Sequence, residues 1–150
     1  MTIPDLNEHG VLPRGVHHCN MEEVRARFGT FRQTDARPRL CDHLVRYMTE
    51  AGSTGAVAAV FVDGSFVTNK EVPGDVDLIV VVNEDALPSS TVDVSPHVYN
   101  VVSRRVIKKR FPFDVFVVPN DPEAIEGALE FFAQVKDRAD LSKGILRVTP

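Results

Sequence analysis

The chain has 150 residues, 43% of them hydrophobic and 25% charged, with a formal net charge of −4. That length fits one α/β or α+β domain over residues 1–150 and leaves no room for a second full domain. The acidic balance excludes a general polycation, so nucleic-acid binding would have to come from a local patch. The two cysteines, Cys19 and Cys41, form no CxxC, which excludes a disulfide framework and points to a reducing cytoplasm.

Residues 1–20 carry Pro4, Gly10, Pro13 and Gly15 and read as an irregular arm, with no basic-then-apolar leader pattern. Asn20 is a candidate N-cap for a short helix over Met21–Phe28, with Glu22 and Glu23 in its first turn. From Asp35 to Ala51, Leu40, Cys41, Leu44, Val45 and Met48 share one helical face, and Gly52 reads as the stop. Ala56–Asp63 is a buried strand, and Phe66–Lys70 reads equally as a loop or one helical turn. Pro73-Gly74 turns the chain into a second strand, Asp75–Val82, apolar on both faces beyond Asp77 as central strands are. These apolar runs are far too short to span a bilayer. Ser95-Pro96 opens a helix reaching about Arg105. Val115–Val118 is a third strand, and Asp121-Pro122 starts an amphipathic helix with the stripe Ile125, Ala128, Leu129 and Phe132. Gly144–Val148 reads as an edge strand. The order implies layers of helix around a mixed β-sheet.

Chemistry concentrates at Gly64-Ser65, at Asp75-Val76-Asp77 after a nine-residue spacer, and at Asp114 inside the apolar run Phe113 to Val118. Alternation along a strand places Asp75 and Asp77 on one face, with Cα atoms roughly 6.5–7 Å apart. A neighbouring strand carrying Asp114 would bring a third carboxylate about 5 Å away laterally. Two bare charges at ~4 Å cost on the order of 4 kcal/mol at an effective dielectric near 20, so such a set calls for a divalent cation. Mg²⁺ (or Mn²⁺) takes oxygen ligands and leaves positions for water and phosphate. Two ions about 3.5–4 Å apart permit in-line phosphoryl or nucleotidyl transfer. Asp75 and Asp77 are the candidate ligands of both ions, and Asp114 of the second. Gly64 permits a positive φ or close approach of the backbone to an anion. Ser65 adds a hydroxyl and an N–H for phosphate, and Thr68 and Lys70 in the connecting loop are further nucleotide-binding candidates.

Other candidates weigh less. Arg104, Arg105, Lys108, Lys109 and Arg110 form a basic run that reads first as a solvated face and second as a patch for triphosphate or acceptor. No aromatic residue interrupts it, so the run itself does not suggest base stacking. His17, His18, Cys19, Cys41 and His43 match no zinc spacing, and Cys41 fits an apolar helical face. GSFVTNK lacks the Gly-Lys-Ser/Thr ending of a phosphate-binding P-loop.

The pattern of apolar strand, Gly-Ser, spacer, Asp-x-Asp and later strand Asp resembles the nucleotidyltransferase superfamily that includes DNA polymerase beta. The stretch GSFVTNKEVPGDVDLIVVV is similar to small stand-alone bacterial members, and LNEHGVLPRGVHH and ALEFFAQVKDR…KGILRV extend the likeness over most of the chain. The resemblance implies a minimal nucleotidyltransferase fold in which Asp75, Asp77 and Asp114 bind two divalent metals and Gly64-Ser65 contacts the triphosphate. It implies transfer of a nucleoside monophosphate from an NTP to an acceptor with release of pyrophosphate. It also implies, by analogy, membership of a toxin–antitoxin or phage-defence pair. Larger members append a helical domain, so base and acceptor recognition here is expected to be minimal or to come from a partner protein or second subunit. The alternative expectation is a catalytically silent domain that binds a nucleotide or protein partner.

Overall fold

The computed structural model describes residues 3–86, 95–135 and 138–150, with backbone only over 134–135 and 138–142. In chain order the elements are β1 (Val16–Cys19), α1 (Met21–Phe28), α2 (Ala36–Thr54), β2 (Val57–Asp63), β3 (Val76–Val82), α3 (Pro96–Val102), α4 (Arg104–Arg110), β4 (Phe113–Pro119), α5 (Pro122–Phe132), β5 (Gln134–Val135), β6 (Arg138–Ser142) and β7 (Ile145–Val148). Five strands form one mixed sheet in the order β1-β7-β2-β3-β4, and β5 and β6 pair as a separate ribbon. The fold is α/β, as composition and periodicity imply.

Local chemistry accounts for most boundaries. The Asn20 side chain accepts from Glu23 N at 2.9 Å and caps α1, and Asp121 caps α5 by accepting from Ala124 N. Helix α2 runs through Gly52 and ends at Gly55, whose φ of 68° supplies the left-handed turn that glycine adopts without steric cost. The valine-rich segment after Pro96 breaks at Ser103, whose side chain caps α4 by accepting from Val106 N. The single helix expected there is therefore two.

Two further expectations are corrected. The N-terminal arm is irregular only as far as Gly15 (residues 1 and 2 lie outside the described residues), because Val16–Cys19 pairs in parallel with β7. That pairing and the antiparallel pairing of β7 with β2 make β7 an interior strand and β1 the edge. A parallel partner so distant in sequence leaves no turn signal to read.

Side-chain alternation sorts the core into two layers. Val60, Val62, Val76, Leu78, Val80 and Val115 face α1 to α4. Phe61, Ile79, Val81 and Ile145 face α5, against the predicted stripe Ile125, Ala128, Leu129 and Phe132. The Tyr47 hydroxyl donates to Val101 O at 2.6 Å and ties α2 to the end of α3. Among the described residues no helix is long and apolar enough to cross a membrane.

The loop after β2 is anchored from beneath by Arg37, which is 1% exposed. Its guanidinium donates to the carbonyls of Phe28, Ser65, Phe66, Thr68 and Lys70 at 2.6–3.5 Å. Burial lowers its pKa to about 10, so it stays charged at neutral pH. Arg37→Leu strips the donors from these carbonyls, and each buried acceptor left unsatisfied costs about 1–3 kcal/mol. The variant is expected to lose about 3 kcal/mol or more in urea denaturation; a loss under about 1 kcal/mol would show that the loop holds itself.

Candidate functional site

Strand β2 ends at Asp63, β3 begins one residue after Asp75, and β4 begins one residue before Asp114. The antiparallel register sets Asp63 opposite Asp77, and the parallel register sets Asp77 opposite Asp114. Residues directly across a ladder project to the same face. All three lie two positions from residues on the α5 side: Phe61, Ile79 and Phe116. Three carboxylates thus stand in a row across adjacent strands, with backbones about 4.8 Å apart.

Each member has a distinct setting. Asp63 is 1% exposed, and its counter-charge is Lys143, whose Nζ lies 3.0 Å from Oδ1. Burial pushes the Asp63 carboxyl up, and Lys143 opposes that shift. Asp77 is partly buried in the middle of the row. Asp114 is half-exposed at the outer end, with Lys108 Nζ 3.6 Å from its Oδ1. Asp75 is exposed just ahead of β3. The order across the sheet is therefore Lys143, Asp63, Asp77, Asp114, Lys108, with Asp75 alongside.

The turn after β2 closes on this row. Gly64 has φ 82°, and a Cβ built on it would lie 2.6 Å from Asp77 Oδ2. Only glycine satisfies both the backbone and the approach. Ser65 begins a 3₁₀ turn, Ser65–Val67, in which Val67 N and Thr68 N donate to the carbonyls of Gly64 and Ser65. Of the segment Phe66–Lys70 that sequence left open, Phe66 and Val67 thus belong to the helical turn and Thr68 to Lys70 continue as loop. Gly64 and Ser65 sit with the acids. Thr68 spends its hydroxyl on Ser65 O and Lys70 N, and Lys70 offers its carbonyl to Arg37. Among the described residues no hydrogen bond or ion pair joins Thr68 or Lys70 to the carboxylates. They shape the turn.

A hollow of about 190 Å³ opens on the same face between β1, β7 and α5, bordered by Arg14, Glu126, Glu130 and Lys143. Lys143 therefore lines this hollow and contacts Asp63. Cys41 lies in the core, as its helical face implied, and Cys19 is also buried.

A family model matches residues 4–149. The chain belongs to DUF6932, a family of unknown function. No curated protein and no solved structure matches it. What this DUF6932 member can do therefore has to be read from the geometry of its own site.

The residues that would hold a cation are Asp75, Asp77 and Asp114, with Asp63 behind them. Among the described residues no group of three or more His, Cys, Asp or Glu side chains is closed into a metal cage. Charge nevertheless accumulates at Asp77. Its carboxyl is pushed up from 3.8 to about 6, first by burial, then by Asp75, Asp63 and Asp114, while Lys143 pulls it down. Like charges this close favour a proton or a cation between them.

Sequence reading passed over Asp63 and Lys143. Asp63 carried the same signal as Asp114, an acid at the end of an apolar strand, and it directly precedes Gly64. Lys143 had no local signal.

An acid whose folded pKa exceeds its unfolded value binds its proton more tightly in the fold. For Asp77 stability therefore falls as pH rises between about 4 and about 6, and above that the ionised carboxylate remains a burden. Asp77→Asn removes it. In metal-free urea denaturation the stability of this variant relative to the wild type should rise from about pH 4 to about pH 6 and then level off above wild type. A variant less stable than wild type at pH 7 would show that Asp77 is a structural ligand of the fold.

Proposed function

We propose that this protein is a metal-dependent nucleotidyltransferase, moving a nucleoside monophosphate from an NTP to an acceptor and releasing pyrophosphate. The observation that carries the reading is the placement of Asp77 abreast of Asp114 on one sheet face with Gly64 pressed against Asp77. Asp75, Asp77 and Asp114 would hold Mg²⁺ or Mn²⁺, which when bound supplies charge neutralisation and polarises the triphosphate.

The other contributions belong to the chain. Gly64 lets the backbone at Ser65 approach the acids without a side chain intervening, which suits a β/γ-phosphate. Asp77, central in the row, is the ligand shared between neighbours. Asp114, half-exposed at the open end, is suited to take the proton from an attacking acceptor hydroxyl. The buried Asp63 and the partly exposed Lys143 pair at the inner end of the row.

The lysines at both ends favour one competing reading. Lys143 and Lys108 already compensate Asp63 and Asp114, as a silent domain that binds a nucleotide or a protein partner would require. The two readings part experimentally. Incubation with each labelled NTP and dNTP, Mg²⁺ or Mn²⁺ and a total-cell extract should label an acceptor and release pyrophosphate. Asp77→Asn should reduce this by more than the roughly 10- to 100-fold lost when an outer-layer partner is removed. Nucleotide at 100 times its dissociation constant should add about 2.7 kcal/mol of stability. Stabilisation without pyrophosphate release would select the silent domain; no stabilisation by any nucleotide with either metal would overturn both.

A further inference from the structure

The outer edge of the sheet carries a feature that the acid row does not use. Phe116 projects from β4 on the same face as Asp114, two residues on and so roughly 6.5–7 Å away. It meets two rings from α5: Phe132 at 5.0 Å and Phe131 at 6.2 Å between centroids, and these two lie 5.3 Å apart. Phe116 is 42% exposed and Phe131 67%. Solvent thus reaches two rings of a contiguous aromatic cluster, where a soluble domain ordinarily buries such groups.

The rim of this cluster is cationic. The Arg104 guanidinium lies 5.8 Å from the Phe116 centroid, and Lys108, one turn further along α4, reaches Asp114. Arg104 and Lys108 therefore come round the β4 edge from the other helical layer and border both the rings and the outermost acid. Arg105 and Lys109, also exposed, continue the positive helix. Two of the three acids of α5, Glu126 and Glu130, line the separate hollow toward β1, and the third, Glu123, stands in the first turn of the helix, two turns before Phe131. Aromatic faces beside a positive track are the elements by which unpaired nucleic acid is held without base readout: the rings stack bases and the cations follow phosphates. The basic run looked unsuited to stacking in sequence because its aromatics come from β4 and α5, brought to it by packing.

We infer that Phe116, Phe131 and Phe132 form a stacking platform for the unpaired end of a nucleic-acid strand, tracked by Arg104 and Lys108. This rests on the nucleotidyltransferase reading in one respect, that the strand end is the acceptor: a terminal base stacked on Phe116 brings its sugar hydroxyls toward Asp114. Charge selects this occupant over a protein surface, because the cations beside the rings match a polyanion.

The test is fluorescence anisotropy with labelled uridine and deoxythymidine oligonucleotides of roughly ten nucleotides. It is run in EDTA without NTP, so binding is read independently of transfer. The wild-type protein binds at least one of them at low salt. Phe131→Ala, at a solvent-exposed ring, weakens binding about tenfold or more, and Phe131→Trp restores it. Arg104→Gln lowers the salt slope by about 0.7. Mg-NTP stabilisation is unchanged in Phe131→Ala. Absence of binding by the wild type overturns the proposal, as does binding indifferent to Phe131→Ala. A wild-type dimer that Phe131→Ala converts to monomer overturns it in favour of contact between two copies. Binding retained in a protein that never transfers a nucleotide sinks the enzymatic reading and leaves the platform standing.

Discussion

Pairing register is the constraint on which this molecule turns. Side chains alternate along a strand, so a slip of one residue between β3 and β4 would send Asp114 to the helical layer opposite Asp77. The ladder opposes that slip at every step. Leu78 opposite Val115 faces one core, and Ile79 faces the other beside its partner Phe116, a half-exposed ring against Phe132 of α5. The antiparallel pairing of β2 with β3 adds Asp63 to the same line. Hydrophobic burial in two layers thus sets the geometry of carboxylates that would otherwise repel one another apart.

A second constraint shapes the turn beside them. Arg37 sits at the start of α2, where the helix dipole disfavours a cation, and it is removed from water, which is costly for any charge. Five carbonyls compensate, four of them from the loop 65–70. Charge-assisted bonds of this kind are stronger than neutral ones, so the loop is held from below while its upper side meets Asp77. The support of the turn and its chemistry are carried by different residues. Thr68 and Lys70, candidates by position in the sequence, contribute their carbonyls to that support.

The parts legible in the sequence were those with local causes. Asn20 and Asp121 announced helix starts by the hydrogen bonds that they now accept, and the period of Ile125, Ala128, Leu129 and Phe132 foretold the face that α5 buries. Gly64 was singled out for a conformation that it adopts. The parts that escaped depend on distant partners. Val16–Cys19 becomes a strand only because β7 lies beside it, and β7 is interior for the same reason. Arg37 resembled any surface arginine at a helix start until five carbonyls converged on it. Lys143 acquires meaning only from Asp63, and the rings at 116, 131 and 132 only from the crossing of β4 and α5.

The sheet face toward α5 is divided along its width. At the β1 side lies the hollow bordered by Lys143; in the middle are Asp63 and Asp77 under the Gly64 turn; at the β4 edge are Asp114, Lys108 and the phenyl rings. The proposed cation site is the middle zone together with Asp114. Crystals grown with Mn²⁺ and a non-hydrolysable NTP analogue test it most directly, through the anomalous signal of the metal. The expected result is a peak in contact with the carboxylates of Asp77 and Asp114, with phosphate density beside Gly64 and Ser65. Ordered analogue elsewhere on the protein, with no peak at these two residues, would contradict it.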